Sequence, residues 1–73
     1  MNEAMTAYIA KLTADLEGYR RIKASLRSGD MKSFELSVSG NKIDQTEERI
    51  ADYERMIKTL EDLIADIEAG KFG

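Results

Sequence analysis

The groups that could do chemistry in this chain are carboxylates, cations and hydroxyls, for its 73 residues include no histidine and no cysteine. That removes the commonest metal ligand and the commonest general base near neutral pH. It also removes any disulfide or thiolate metal site. Acids are dense in the second half: Glu47, Glu48, Asp52, Glu54, Glu61, Asp62, Asp66 and Glu68. Hard cations need clustered oxygens, but no calcium-loop spacing is present. These acids read as a solvated face, away from the apolar seam of the helix that carries them. No metal and no cofactor are expected.

Cations concentrate at Arg20, Arg21, Lys23 and Arg27. Arg20, Lys23 and Arg27 share roughly one helix face, as a phosphate-binding patch would. No aromatic interleaving or glycine cradle accompanies them. Compensation of a negative helix end, or pairing with acids of the second helix or of a neighbouring subunit, is the simpler reading. Nucleic acid is therefore not an expected partner. Tyr8, Tyr19 and Tyr53 sit on or beside apolar stripes, where the default is core packing with the hydroxyl at the rim. Ser25, Ser28, Ser33, Ser37 and Ser39 have no histidine to activate them. The chain is not expected to be an enzyme.

Two helices position these groups. In the first, over about 4–28, Met5, Ile9, Leu12, Leu16, Tyr19, Lys23 and Leu26 recur at spacings of four and three. Tyr8 and Ile22 widen that stripe. Gly29 is placed to end the helix in the left-handed conformation. The second, over about 45–69, is a strict heptad seam of Ile50, Tyr53, Ile57, Leu60, Ile64 and Ile67, broadened by Met56 and Leu63. Asp44 and Glu47 make a capping-box-like start for it. Glu54 and Lys58 are spaced as a favourable i, i+4 pair. Gly70 ends the helix, leaving Phe72 frayed or docked.

Between the helices the period changes from helical to strand-like. Over 34–39 apolar and polar residues alternate, which predicts a strand with Phe34, Leu36 and Val38 on one face. Gly40 and Asn41 follow as a tight two-residue turn with positive φ. A short return strand leads into the second helix, so the β segment spans about 33–43. The expected fold is mainly α: two long antiparallel amphipathic helices joined by a short β-hairpin, one domain over 1–73. The Phe34–Leu36–Val38 face either caps the helix pair or remains an exposed edge that pairs with another chain. Lys32 and Lys42 beside it would steer an acidic partner.

A chain this short buries a modest core, and one partner helix cannot cover a stripe that includes Met56 and Leu63. Self-association or docking on a partner is the expected remedy. The net charge of −3 hides a segregation. Residues 1–19 carry −2, residues 20–42 carry +4 and residues 43–73 carry −5. The first five residues lack the basic start and apolar core of a signal peptide. No apolar run approaches the roughly eighteen residues needed to span a membrane. A cytoplasmic site of synthesis without a membrane is the expectation.

The alternating strand from Phe34, the glycine turn Gly40-Asn41-Lys42-Ile43, the Asp44 and Thr46 cap and the heptad helix through Leu63 resemble a family. They are similar to the small head–tail joining and neck proteins of tailed phages, of the lambda W type. The chain departs from that type in a longer, more acidic second helix and in lacking a basic C-terminal extension. The resemblance implies a helix–hairpin–helix fold without catalytic residues. It implies a ring-forming structural protein of the virion neck, present in many copies and touching portal or neck proteins. Apart from that resemblance, two other settings suit the sequence. One is a cytoplasmic helical-hairpin adaptor or regulator, such as a dimeric bundle binding protein or RNA. The other is a mobile-element inhibitor of a host enzyme. In each, the contact candidates are Phe34, Leu36, Val38, Lys32, Lys42, Met56 and Leu63.

Overall fold

The computed structural model describes residues 2–71. It contains α1 (Glu3–Ser28), β1 (Phe34–Leu36), β2 (Lys42–Asp44) and α2 (Thr46–Glu68) in that order. The expected helix–hairpin–helix architecture is the observed one. Phe72 lies outside the described residues.

Each helix end has a local cause. Asn2 is extended, and its Oδ1 accepts the Met5 amide at 2.8 Å, so one orphan donor of the first turn of α1 is satisfied. Gly29, at φ 86°, ends α1 in the left-handed region that glycine reaches without a Cβ penalty. At the end of α2 the Lys71 amide donates to the Asp66 carbonyl and the Gly70 amide to the Ile67 carbonyl, each at 3.0 Å. This is the paired-bond Schellman stop.

The start of α2 differs from the sequence expectation. Its N-cap is Gln45, whose side chain makes no capping bond. Asp44, one residue earlier, accepts the Thr46 amide at 2.8 Å instead. Glu47 therefore sits in the first turn as an acid near the positive helix end, not as the second arm of a capping box.

The helices pack antiparallel, because cross-links that climb α1 descend α2. Arg20 meets Glu61 and Arg27 meets Glu54. Six apolar side chains are buried between them: Leu12, Leu16 and Leu26 from α1, Ile50, Ile57 and Ile67 from α2. All six lie on the expected stripes. Tyr19 and Tyr53 close the middle with ring centroids 5.7 Å apart in a tilted arrangement. Lys23, the polar interruption of the α1 stripe, is half-buried and carries its ammonium out to 4.0 Å from Glu54.

The molecule measures 52 × 24 × 16 Å. At about 1.5 Å per residue, α1 accounts for roughly 39 Å of the long axis. The hairpin links the two helices, its strands pairing with each other while α1 packs on α2.

Candidate interaction surface

β1 and β2 pair antiparallel with Phe34 opposite Asp44, Glu35 opposite Ile43 and Leu36 opposite Lys42. Residues opposite one another share a face. One face therefore carries Phe34, Leu36, Lys42 and Asp44, and the other carries Glu35 and Ile43. Neither face is covered: Phe34, Leu36 and Ile43 are 52%, 69% and 46% exposed. On the first face the Lys42 ammonium sits 5.7 Å from the Phe34 ring centroid, at cation–π range. On the second, the Gln45 side-chain amide donates from Nε2 to the Glu35 carboxylate.

The strand is shorter than its alternating pattern predicts. It stops at Leu36, and Val38 lies in the turn with its side chain fully exposed. The expected face of Phe34, Leu36 and Val38 is thus cut to its first two members. The Gly40 amide donates to the Ser37 carbonyl at 2.9 Å and the Ser37 amide to the Asn41 carbonyl at 2.8 Å. These bonds define a three-residue loop closed by a bulge, with Gly40 at φ 86° in the left-handed position. The sequence expectation of a Gly40-Asn41 two-residue turn is corrected, since Asn41 has negative φ. Serine chemistry decides between the two. Ser37 Oγ accepts the Asn41 amide at 3.1 Å and lies 2.9 Å from Ser39 Oγ, while the Asn41 side-chain amide donates to Ser39 Oγ at 3.2 Å. Side-chain bonding of this local kind competes with the ladder and ends it.

The hairpin is tied to the helices at its base. The Gln45 amide donates to the Ser33 carbonyl at 2.8 Å, and the Ser33 amide to Thr46 Oγ1 at 3.1 Å. The Thr46 hydroxyl and amide both stabilise ionised Asp44, and Lys32 adds attraction. Together they hold its carboxyl below the usual carboxylate range.

Ladder parity fixes the edges. The Gln45 amide bonds the Ser33 carbonyl and the Ser37 amide bonds the Asn41 carbonyl across the ladder, so Phe34, Leu36, Lys42 and Asp44 occupy the alternate, non-bonded sites. Their backbone N–H and C=O groups point outward. β1 offers those of Phe34 and Leu36; β2 offers those of Lys42 and Asp44.

The sides of the helix pair differ from each other. One is zipped by charge: Arg20 to Glu61 at 2.6 Å, with Arg27 and Lys23 both on Glu54. The basic cluster therefore pairs with acids of α2, one of the readings its sequence allowed. Glu54 and Glu61 are corrected from solvated outer-face residues to flanks of the seam. Lys58 bonds Asp62 at 3.1 Å rather than the expected Glu54. Arg21 is exposed and forms no ion pair among the described residues. On the other side, Met56 is two residues, about 200°, around the helix from Glu54. It lines a shallow groove of about 550 Å³ with Tyr19 and Leu60, at whose rim Asp52 pairs with Arg49 and Arg55. Leu63 is half-buried. The structure thus divides the contact candidates. Phe34, Leu36, Val38, Lys32 and Lys42 gather on the hairpin, whereas Met56 and Leu63 lie on α2.

Ile43 and Met31, both exposed apolar residues, are absent from the sequence-derived contact set. Ile43 had a readable signal, since Lys42, Ile43 and Asp44 alternate polar, apolar, polar. Met31 had none. Among the described residues, no three carboxylates converge as a metal site would require, and no helix is long and apolar enough to cross a membrane. Comparison with family models, curated proteins and solved structures returned no match.

Proposed function

We propose that this chain is a non-enzymatic assembly protein that works in several copies and makes its functional contact with the hairpin. The observation that carries the reading is the exposure of Phe34, Leu36, Val38 and Ile43 on a two-stranded element that covers neither of its faces. A two-stranded hairpin gains independent stability from further strands or from packing on a helix. This one has neither, and its apolar residues stay exposed, Phe34 and Leu36 on one face and Ile43 on the other. Such a surface is suited to burial against protein.

The setting we propose is the head–tail connector or neck of a phage virion, on the strength of the sequence resemblance, with portal or neck subunits as the other partners. The protein would then reside in the virion; an adaptor built on the same hairpin would act in the cytoplasm. The decisive experiment replaces Phe34 and Leu36 with serine, leaving the helical seam intact. The expected result is unchanged helix content by circular dichroism with loss of assembly in a particle-completion assay. Normal particle completion by that variant would remove the hairpin from the functional account.

A further inference from the structure

The two edges of the hairpin are not equivalent as docking sites, and only one is complementary to itself. β2 reads Lys42-Ile43-Asp44 and is exposed throughout. Its outward backbone groups belong to Lys42 and Asp44, as the ladder parity requires. We propose that two copies of the chain pair edge to edge through β2, antiparallel about a two-fold axis at Ile43. In that register Lys42 of one copy faces Asp44 of the other, twice, and the two pairs exchange all four outward N–H···O=C bonds. Ile43 faces Ile43 across the axis in the non-bonded site, where side chains approach most closely. A four-stranded sheet results, in the order β1-β2-β2-β1.

The alternative edge is disfavoured by the same arithmetic. β1 reads Phe34-Glu35-Leu36, so antiparallel self-pairing about its centre sets Glu35 against Glu35. Like charges directly opposite are destabilising. Lys42 also explains selectivity. An edge lysine deters indiscriminate strand pairing, but here it admits a strand that presents an acid opposite it, and β2 itself does so. Asp44 remains charged for this purpose, because Thr46 and Lys32 favour its ionised form. One of its oxygens accepts the Thr46 amide, and a carboxylate has further lone pairs to offer the partner's lysine.

The proposal rests on the multi-copy reading above and names the surface by which copies meet. The contact is isologous and closes at two copies, so a larger assembly needs a further contact elsewhere on the chain.

Cross-linking tests the register. The chain has no native cysteine. Across the axis, I43C places two thiols on Cα atoms about 4.5 Å apart, within the range of about 4.4–6.8 Å that a disulfide spans. E35C lies on the same face but one strand out on each side, about 14 Å from its copy. Under mild oxidation I43C should form covalent dimer at least about tenfold faster than E35C at equal concentration. Charge exchange tests the pairing independently. K42D sets acid against acid and D44K sets base against base, so neither should self-associate. An equimolar mixture should form the heterodimer by sedimentation. Circular dichroism checks that D44K, which loses the Thr46 cap, still folds; the cross-linking comparison stands without it. Equal cross-linking rates for I43C and E35C, or a mixture of folded variants that sediments as two monomers, overturns the proposal. If the wild-type chain still forms multimers in that case, copies meet at another surface and the assembly reading survives. A wild-type chain that stays monomeric at every concentration and completes no particles removes both.

Discussion

At the scale of single residues, Asp44 carries more than its exposed position suggests. Its carboxylate accepts the Thr46 amide, and its pKa is held below the ordinary value of 3.8. A carboxyl with a depressed folded-state pKa contributes stability that is fully present above its unfolded value. The contribution is lost as pH falls through the folded value. The wild type should therefore outlast D44N in thermal melts at neutral pH, and that advantage should shrink as the pH falls below 3.8 and vanish once the folded-state carboxyl is protonated. An advantage independent of pH would mean that charge is not what Asp44 supplies. The seam gives a stronger contrast. Ile57 is buried, so I57D leaves an unpaired carboxylate in the core, against a total stability on the order of 5 kcal/mol. We expect that variant to be unfolded in circular dichroism. L60D should be milder, since Leu60 is half-buried and lines the open groove. E61A breaks the bond to Arg20, but both partners are about half exposed, so less than about 1 kcal/mol should be lost.

At the scale of elements, the hairpin depends on one backbone conformation. Gly40 has φ 86°, and a Cβ built there would meet nothing within 4 Å. The cost of G40V is therefore conformational rather than steric crowding by neighbours. It should amount to about 1–2 kcal/mol for forcing a β-branched residue into the left-handed region. Because the loop touches no core, that cost should fall on the hairpin alone. Amide exchange should quicken over residues 34–44 while the protection of α1 and α2 stays as it was. Quickened exchange in the helices would mean that the hairpin is part of their cooperative unit.

At the scale of the whole molecule, a seam of six buried side chains and a charge-zipped flank hold two long helices together. The ion pairs are exposed and screened by salt. Raising sodium chloride to 1 M should therefore lower the melting temperature by only a few degrees, because the apolar seam is indifferent to it. Protein concentration should matter more. If copies associate in the folded state only, mass action raises the melting temperature as concentration rises. A midpoint unchanged from micromolar to millimolar protein would mean that folding of the single chain is self-sufficient.

Much of this architecture is legible in the chain itself, because it depends on period and on local backbone chemistry. The three-four spacing of Leu12, Leu16 and Leu26 and the heptad of Ile50, Ile57 and Ile67 marked the faces that became buried. Gly29 ended α1 in the conformation that only glycine adopts cheaply. What required the tertiary structure was every choice among near-equal local options. Alternation ran on through Val38, but Ser37, Ser39 and Asn41 bonded one another and closed the loop three residues early. Glu54 had Lys58 at the favourable spacing, yet Arg27 and Lys23 reached it from across the seam. The alternating pattern was equally compatible with a hairpin folded onto the helices and with one standing free. Whether its apolar face met α1 and α2 depended on the direction in which the Ser33–Thr46 and Ser33–Gln45 bonds aimed its base. Those bonds join residues twelve and thirteen apart, and no periodicity in a single strand records them.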